Sequence, residues 1–170
     1  KDLKQTNKNF ENEIIKLKKK IFTKKNKDKL IVFYGSSTLR LWKKLEEDFP
    51  KLNILNLGFG GAFISSMEKY FDHLFKFESP ISIILYLGGN DLTLNLTAKQ
   101  IFEKIIFFFK RIKNKFPKST IINIGIKPSF ERIKDLKKIK KINLLMENYS
   151  KKHGYFRQIN LYERLVTKDG

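Results

Sequence analysis

Cysteine is absent from the 170-residue chain, which excludes disulfide frameworks, cysteine nucleophiles and thiolate metal sites. Histidine occurs only as His73 and His153, too few for a three-histidine metal centre. Alanine occurs twice, and arginine supplies only five of the 36 basic residues. No apolar run approaches the roughly 18–20 residues that span a bilayer. The most prominent run, Ile81–Leu87, is broken by Ser82 and reads as a buried strand. There is no internal repeat and no low-complexity linker, so one domain is expected. No signal peptide is visible, and a chain beginning with lysine is expected to start inside a longer sequence.

What remains is sufficient for a core: 41% of residues are hydrophobic and 14% aromatic. That excludes a wholly disordered chain despite 31% charged residues. The net charge of +19 points naively to nucleic acid. However, 31 of the 36 basic residues are lysine, alongside 21 Ile, 16 Phe and 13 Asn. All four residue types have A/T-rich codons, so a low-GC genome accounts for the pattern. Nucleic-acid readers favour arginine for bidentate contacts, and the lysines are spread along the chain. A solvated basic surface is expected, with nucleic acid an improbable partner. An anionic membrane or polyanion is the remaining alternative.

Hydrophobic periodicity gives alternating elements. Residues 1–9 are polar and expected to fray, and Phe10–Phe22 carries apolar residues at 10, 14, 17 and 21, a helical period. These form an N-terminal segment, 1–29, ahead of the main unit, 30–170. Strands are expected at Leu30–Tyr34, Leu52–Leu57, Ile81–Leu87, Thr120–Ile126 and Tyr155–Ile159. Helices are expected at Leu39–Phe49, Ile64–Phe77, Thr97–Phe116 and Phe130–Lys152. Thr97 and Gln100 form a capping-box pattern. Strict alternation implies a parallel five-stranded sheet within a three-layer α/β/α, flavodoxin-like fold. Sites in such sheets form outside the carboxyl ends of the strands.

Three strand ends carry polar and glycine-rich clusters: Gly35-Ser36-Ser37-Thr38, Asn56-Leu57-Gly58-Phe59-Gly60-Gly61 and Gly88-Gly89-Asn90-Asp91. A hydroxyl, a loop of bare backbone N–H groups and a neutral amide donor are what acyl transfer requires. The competing reading makes Ser37 a helix cap and Asn90 a turn residue. No G-x-S-x-G elbow is present. The glycine cluster lacks the third glycine of a dinucleotide fingerprint, since Phe63 stands there. Arg40 lines either the site entrance or only a helix surface. Asp91 either meets substrate or fixes its own loop. His73 is expected on a helix surface and His153 at a helix end.

These clusters resemble the signature blocks of the GDSL-type esterases, or SGNH hydrolases. Ile31–Trp42 resembles the first block, with Ser37 on the nucleophile and Ser36 where the family name has aspartate. The glycine loop resembles the second, with Gly61, or Gly60 in the alternative register, as oxyanion donor. Gly88-Gly89-Asn90-Asp91 matches the third block, G-x-N-D, with Asn90 as the oxyanion amide. Ile126-Lys127-Pro128-Ser129 resembles a stretch after the fourth strand in the G-S-S branch. The resemblance implies a serine ester hydrolase acting on a small-molecule ester, with no metal or cofactor. It also implies a D-x-x-H block that these 170 residues lack. The expectation is a chain truncated ahead of that block, with an inactive relative as the alternative. Other readings are a non-catalytic domain holding an acylated sugar or lipid, and a polyanion binder.

Overall fold

The computed structural model describes residues 3–165. Five parallel strands form one sheet in the order β2-β1-β3-β4-β5. They are β1 (Ile31–Gly35), β2 (Ile54–Gly58), β3 (Ser82–Tyr86), β4 (Thr120–Ile124) and β5 (Phe156–Ile159). Four of the five are short apolar runs, as strands buried in a parallel sheet must be. Helices α4 (Ile64–Leu74), α5 (Ala98–Lys115) and α6 (Leu136–His153) accompany the larger core on one face. The other face carries the short helices α2 (Ser37–Leu41) and α3 (Leu45–Asp48), whose Leu39 and Leu45 pack on Phe33, Ile54 and Tyr86. This second layer is thin: Ile84, Ile122 and Ile124 are only half-buried, and Ile159 is exposed.

Tyr34 centres the larger core, among Phe59, Phe71, Phe75 and Phe108. Its hydroxyl donates to the Met67 carbonyl at 2.7 Å, which satisfies the one polar atom it buries. The expected capping box is present: Gln100 N–H donates to Thr97 Oγ1, and Thr97 N–H donates to Gln100 Oε1.

Helix α1 runs from Leu3 to Thr23, so residues 3–9 are helical rather than frayed; their polar sequence gave no periodic signal. The helix lies along β2, the edge strand. Lys24 Nζ donates to the Ile54 carbonyl at 2.8 Å and Lys20 Nζ to the Asn56 carbonyl at 3.4 Å. An unpaired edge invites another strand, and here lysines cap its outward carbonyls. Phe10 and Ile14 are buried with the main core, Phe10 edge-on against Phe59. Each such burial contributes roughly 1.5–3 kcal/mol. The helix is thus packed as part of the layer system.

Two expected helices are broken. Leu39–Phe49 is α2 and α3, divided at Trp42, whose Nε1 donates to Asp48 Oδ2. Phe130–Lys152 begins as a 3-10 turn, Phe130–Asp135, with Arg132 outside helical geometry, before α6 starts at Leu136.

The strand ends tolerate no side chain at two glycines. A Cβ on Gly35 would lie 2.3 Å from the Tyr86 carbonyl oxygen, and one on Gly58 would lie 2.5 Å from Arg40 N. Gly89 is different, since its nearest neighbour would be Ile126 at 3.9 Å. Gly58→Ala is therefore expected to cost about 3 kcal/mol, the upper range for forced overpacking. Gly89→Ala should be neutral or stabilising by up to about 1 kcal/mol. Urea unfolding of the two variants measures the contrast.

Candidate active site

The three clusters meet because the strands end in register. Gly35 of β1 pairs with Gly58 of β2 on one side and Tyr86 of β3 on the other. The chain leaves β1 toward β2 on one side and leaves β3 toward β4 on the other, which opens between β1 and β3 the crevice where open α/β sheets hold ligands. Ser36 N–H donates to the Tyr86 carbonyl at 3.1 Å, and Phe59 N–H to the Gly35 carbonyl at 3.0 Å. Helix α2 begins at once, with Ser37 as its first residue.

Ser37 is half-buried. The position before the helix is Ser36, which makes no side-chain cap. The first N–H groups of a helix have no intrahelical partner, and the Ser37 N–H finds no acceptor among the described residues. Asn56 ties α2 to the second strand: its amide donates to the Leu39 carbonyl at 2.8 Å and accepts from Gly58 N–H at 2.9 Å.

The glycine loop is held from two directions. Glu13 of α1 accepts the Gly60 N–H at 2.6 Å and lies 3.5 Å from Arg40 Nη1. The Arg40 guanidinium covers Gly60, where an added Cβ would meet Nε at 3.0 Å. Gly61 is exposed, has φ +68°, and offers its N–H to no described acceptor. On the other side, Asn90 Nδ2 donates to the Ala62 carbonyl at 2.9 Å. Asn90 has ordinary right-handed geometry, so it is not there to supply a left-handed turn. One of its two amide hydrogens anchors the glycine loop; the second has no acceptor among the described residues.

Asp91 is buried, and its carboxylate accepts the Ile64 N–H at 3.1 Å at the head of α4. That bond fastens the Asn90 loop to the glycine loop's helix. Burial pushes the Asp91 carboxyl above the usual range, opposed by hydrogen bonds from Ile64 and its own backbone and by the Lys104 charge. Tyr86 sits beside the Thr38 hydroxyl, the Lys127 backbone and the Arg132 charge; these oppose the burial that pushes its phenol upward. The loop after β4 therefore reaches the same rim. Its root is clamped by Asn143, whose amide accepts from Ile126 N–H and donates to Ile126 O, each at 2.9 Å.

Neither histidine is on this rim. His73 lies nine residues along α4 from Ile64, about 14 Å at 1.5 Å per residue. His153 ends α6, stacked on Tyr149 with centroids 4.0 Å apart, just before the left-handed cap Gly154. Both stand toward the amino ends of the strands. Among the described residues no group of His, Asp and Glu is arranged to hold a metal.

A groove of about 280 Å³, lined in part by Leu17, Arg40, Trp42, Leu45 and Gly58, adjoins the rim. A larger depression, about 700 Å³, lies at the amino ends of the strands around Lys25–Asp28 and Lys76–Glu78, remote from Ser37.

Neither a protein-family model nor a curated protein matches the chain. Solved structures do. A Streptococcus pneumonia protein named for platelet activating factor superposes over 95% of this chain and 79% of its own, with TM-score 0.83 and 17% identity. A GDSL-like lipase from Bacteroides thetaiotaomicron gives TM-score 0.67 and 23% identity, over 84% of this chain and 73% of its own. AlinE4, an SGNH-hydrolase family esterase, gives TM-score 0.64 and 16% identity, over 85% and 86%. The chain carries the fold shared by GDSL lipases and SGNH-hydrolase esterases, in agreement with the resemblance read at its strand ends.

Two predictions test these contacts. Hydrogen bonds to charged groups contribute about 1.5–3 kcal/mol. Glu13→Ala should therefore speed amide exchange at Gly60 about tenfold or more, while Glu13→Gln, which keeps an acceptor, should change it less. Hydrogen-exchange NMR measures both. For Asp91, a raised folded-state value means the folded state holds the proton more tightly than the unfolded chain. That contribution is present below the ordinary carboxyl value of about 4 and withdrawn as pH rises through the folded value. Asp91→Asn offers an acceptor that does not titrate. Wild-type stability relative to Asp91→Asn should fall as pH rises above about 4, measured by urea unfolding.

Proposed function

We propose that the Ser37 rim is the reactive half of a serine ester hydrolase. Ser37 Oγ would attack the carbonyl carbon of an ester, losing its proton to a base. The tetrahedral oxyanion would be held by the backbone N–H groups of Ser37 and Gly61 and the side chain of Asn90. Collapse would release the alcohol with a proton and leave acyl-Ser37, which water then cleaves to a carboxylic acid. The observation that carries this reading is the Asn90–Ala62 hydrogen bond at 2.9 Å. It joins the amide to the glycine loop and leaves three donors without described acceptors on one rim. The Glu13 bond to Gly60 favours Gly61 over Gly60 as the backbone donor. Arg40, half-exposed beside the groove, is proposed to meet the substrate. Asp91 is proposed as a support for the loop.

The D-x-x-H base and its partner are not in these 170 residues, so the chain alone is expected to turn over slowly. Sites stripped of a triad member retain roughly 10³–10⁴-fold catalysis from the oxyanion hole and binding. The test is p-nitrophenyl acetate hydrolysis with imidazole added as an external base. The rate above the imidazole background should rise with imidazole in wild type and vanish in Ser37→Ala. In Asn90→Ala it should fall about 10²–10³-fold. Equal rates in wild type and Ser37→Ala at every imidazole concentration would sink the proposal. That result would favour a non-catalytic domain holding an acylated ligand in the same cleft, a reading supported by the remoteness of both histidines.

A further inference from the structure

The loop that follows β4 carries a feature the ester-hydrolase reading leaves unused. Phe130 is 95% exposed and Ile133 60% exposed on the same 3-10 turn. Isolated exposed apolar residues are ordinary, but this pair sits inside one of the two most basic stretches of the chain, the other being residues 16–29. Residues 127–141 hold seven basic and two acidic side chains. Lys127, Lys134, Lys137, Lys140 and Lys141 are all exposed. Lys137 and Lys138 occupy the first turn of α6, which has no acidic residue. The helix dipole disfavours cations there, so their charge does not serve the helix. The turn is not a loose tip, because Asn143 clamps the Ile126 backbone immediately before it.

We propose that this turn docks the protein on an anionic phospholipid bilayer. Phe130 and Ile133 would enter the headgroup boundary, with the lysines around them on lipid phosphates. Such a combination of apolar anchors and clustered cations is what a peripheral protein needs to bind an anionic leaflet. No described helix is long and apolar enough to cross a membrane, and the proposed contact is at the surface. A nucleic acid fits less well: six of the seven cations are lysine, and aliphatic Ile133 offers a base nothing to stack on. The Lys127 backbone and the Arg132 charge lie near Tyr86 of β3, whose carbonyl accepts the Ser36 N–H at 3.1 Å, so docking would turn the Ser37 rim toward the lipid. Only that last consequence rests on the ester-hydrolase reading, and it names the substrate class as an acyl ester presented at a lipid surface.

The test is co-sedimentation of the 170-residue chain with vesicles of phosphatidylcholine, alone or with about 30% phosphatidylglycerol. Binding is expected only to the anionic vesicles. Phe130→Glu should weaken it about tenfold or more, through loss of the anchor and a changed charge. Phe22→Glu makes the same change at the far end of α1, at a site 87% exposed among the eight lysines of residues 16–29, so it separates this turn from the other basic stretch, and it should alter binding by about twofold or less. A second readout places tryptophan at the turn, Phe130→Trp with the sole tryptophan removed by Trp42→Phe. Its emission should shift to the blue on anionic vesicles. Equal effects of Phe130→Glu and Phe22→Glu, or no emission shift, would overturn docking by this turn. DNA retention falling as steeply as vesicle binding in Phe130→Glu would reassign the turn to polyanions generally, and also overturn the proposal. Ser37→Ala should bind vesicles like wild type. Failure of docking and failure of ester hydrolysis are therefore read separately.

Discussion

The site depends on three parallel strands ending at the same level. Gly35 is flanked by Gly58 and Tyr86, and no loop separates β1 from α2. The first turn of the helix must therefore cross directly over the neighbouring strand end. Space for that crossing exists only because Gly58 has no side chain; a Cβ would meet the backbone of Arg40 and Leu39. Tight glycine approach at one point thus fixes the angle of α2, and with it the position of Ser37. Asn56 reinforces the same geometry by bridging the Leu39 carbonyl and the Gly58 N–H. The loops are then cross-tied by Asn90 to Ala62 and by Asp91 to Ile64. Preorganised donors are effective because they need no rearrangement when charge develops, and this rim is built from short backbone-anchored contacts.

Helix α1 connects sheet stability to the same rim. Its lysines cap the outer carbonyls of β2 at one end, and its Glu13 holds Gly60 at the other. One helix therefore closes an edge open to strand addition and sets the conformation of the glycine loop. Glu13 also occupies the Gly60 N–H, which separates the two candidate donors: Gly60 is occupied and Gly61 is not. Arg40 shares the Glu13 carboxylate while its guanidinium lies on Gly60. An exposed ion pair of this kind contributes little stability. Its consequence here is positional, since it presses a cationic side chain against the loop.

The strands were legible because a buried parallel sheet demands apolar runs, and β1 to β4 obey that demand. The capping box of α5 was legible because its chemistry is local, with both partners three residues apart. The candidates Ser37, Gly61 and Asn90 are picked out by the same logic, as polar or glycine residues after such runs, and their roles remain proposals. What escaped were contacts between residues distant in sequence. Glu13 reaches Gly60 across 47 positions, and no periodicity encodes that pairing. Asn143 is one polar residue within an amphipathic helix, and nothing in its spacing signals that its amide bonds both backbone groups of Ile126. The split of α2 from α3 escaped because Trp42 reads as an apolar helical position, whereas its indole N–H turns to Asp48. Local chemistry writes itself into spacing, and tertiary hydrogen bonds do not.

The charge of the chain has a similar two-level explanation. Lysine outnumbers arginine 31 to five, as a composition-wide bias produces. Several nevertheless take specific structural positions: Lys20 and Lys24 cap β2, and Lys115 pairs with Asp72 while lying over Phe71. A basic genome-level background thus supplies side chains that the fold then recruits wherever an unpaired carbonyl or carboxylate is within reach. The cations between 127 and 141 find no such partner among the described residues. Among those residues the i,i+4 pairs, Lys99–Glu103 and Lys151–Glu147, lie elsewhere. Like charges crowded at a helix start repel one another and oppose the dipole. Sequence bias explains why lysine is the residue used there, but it does not explain cations set against the dipole of α6 beside the exposed Phe130.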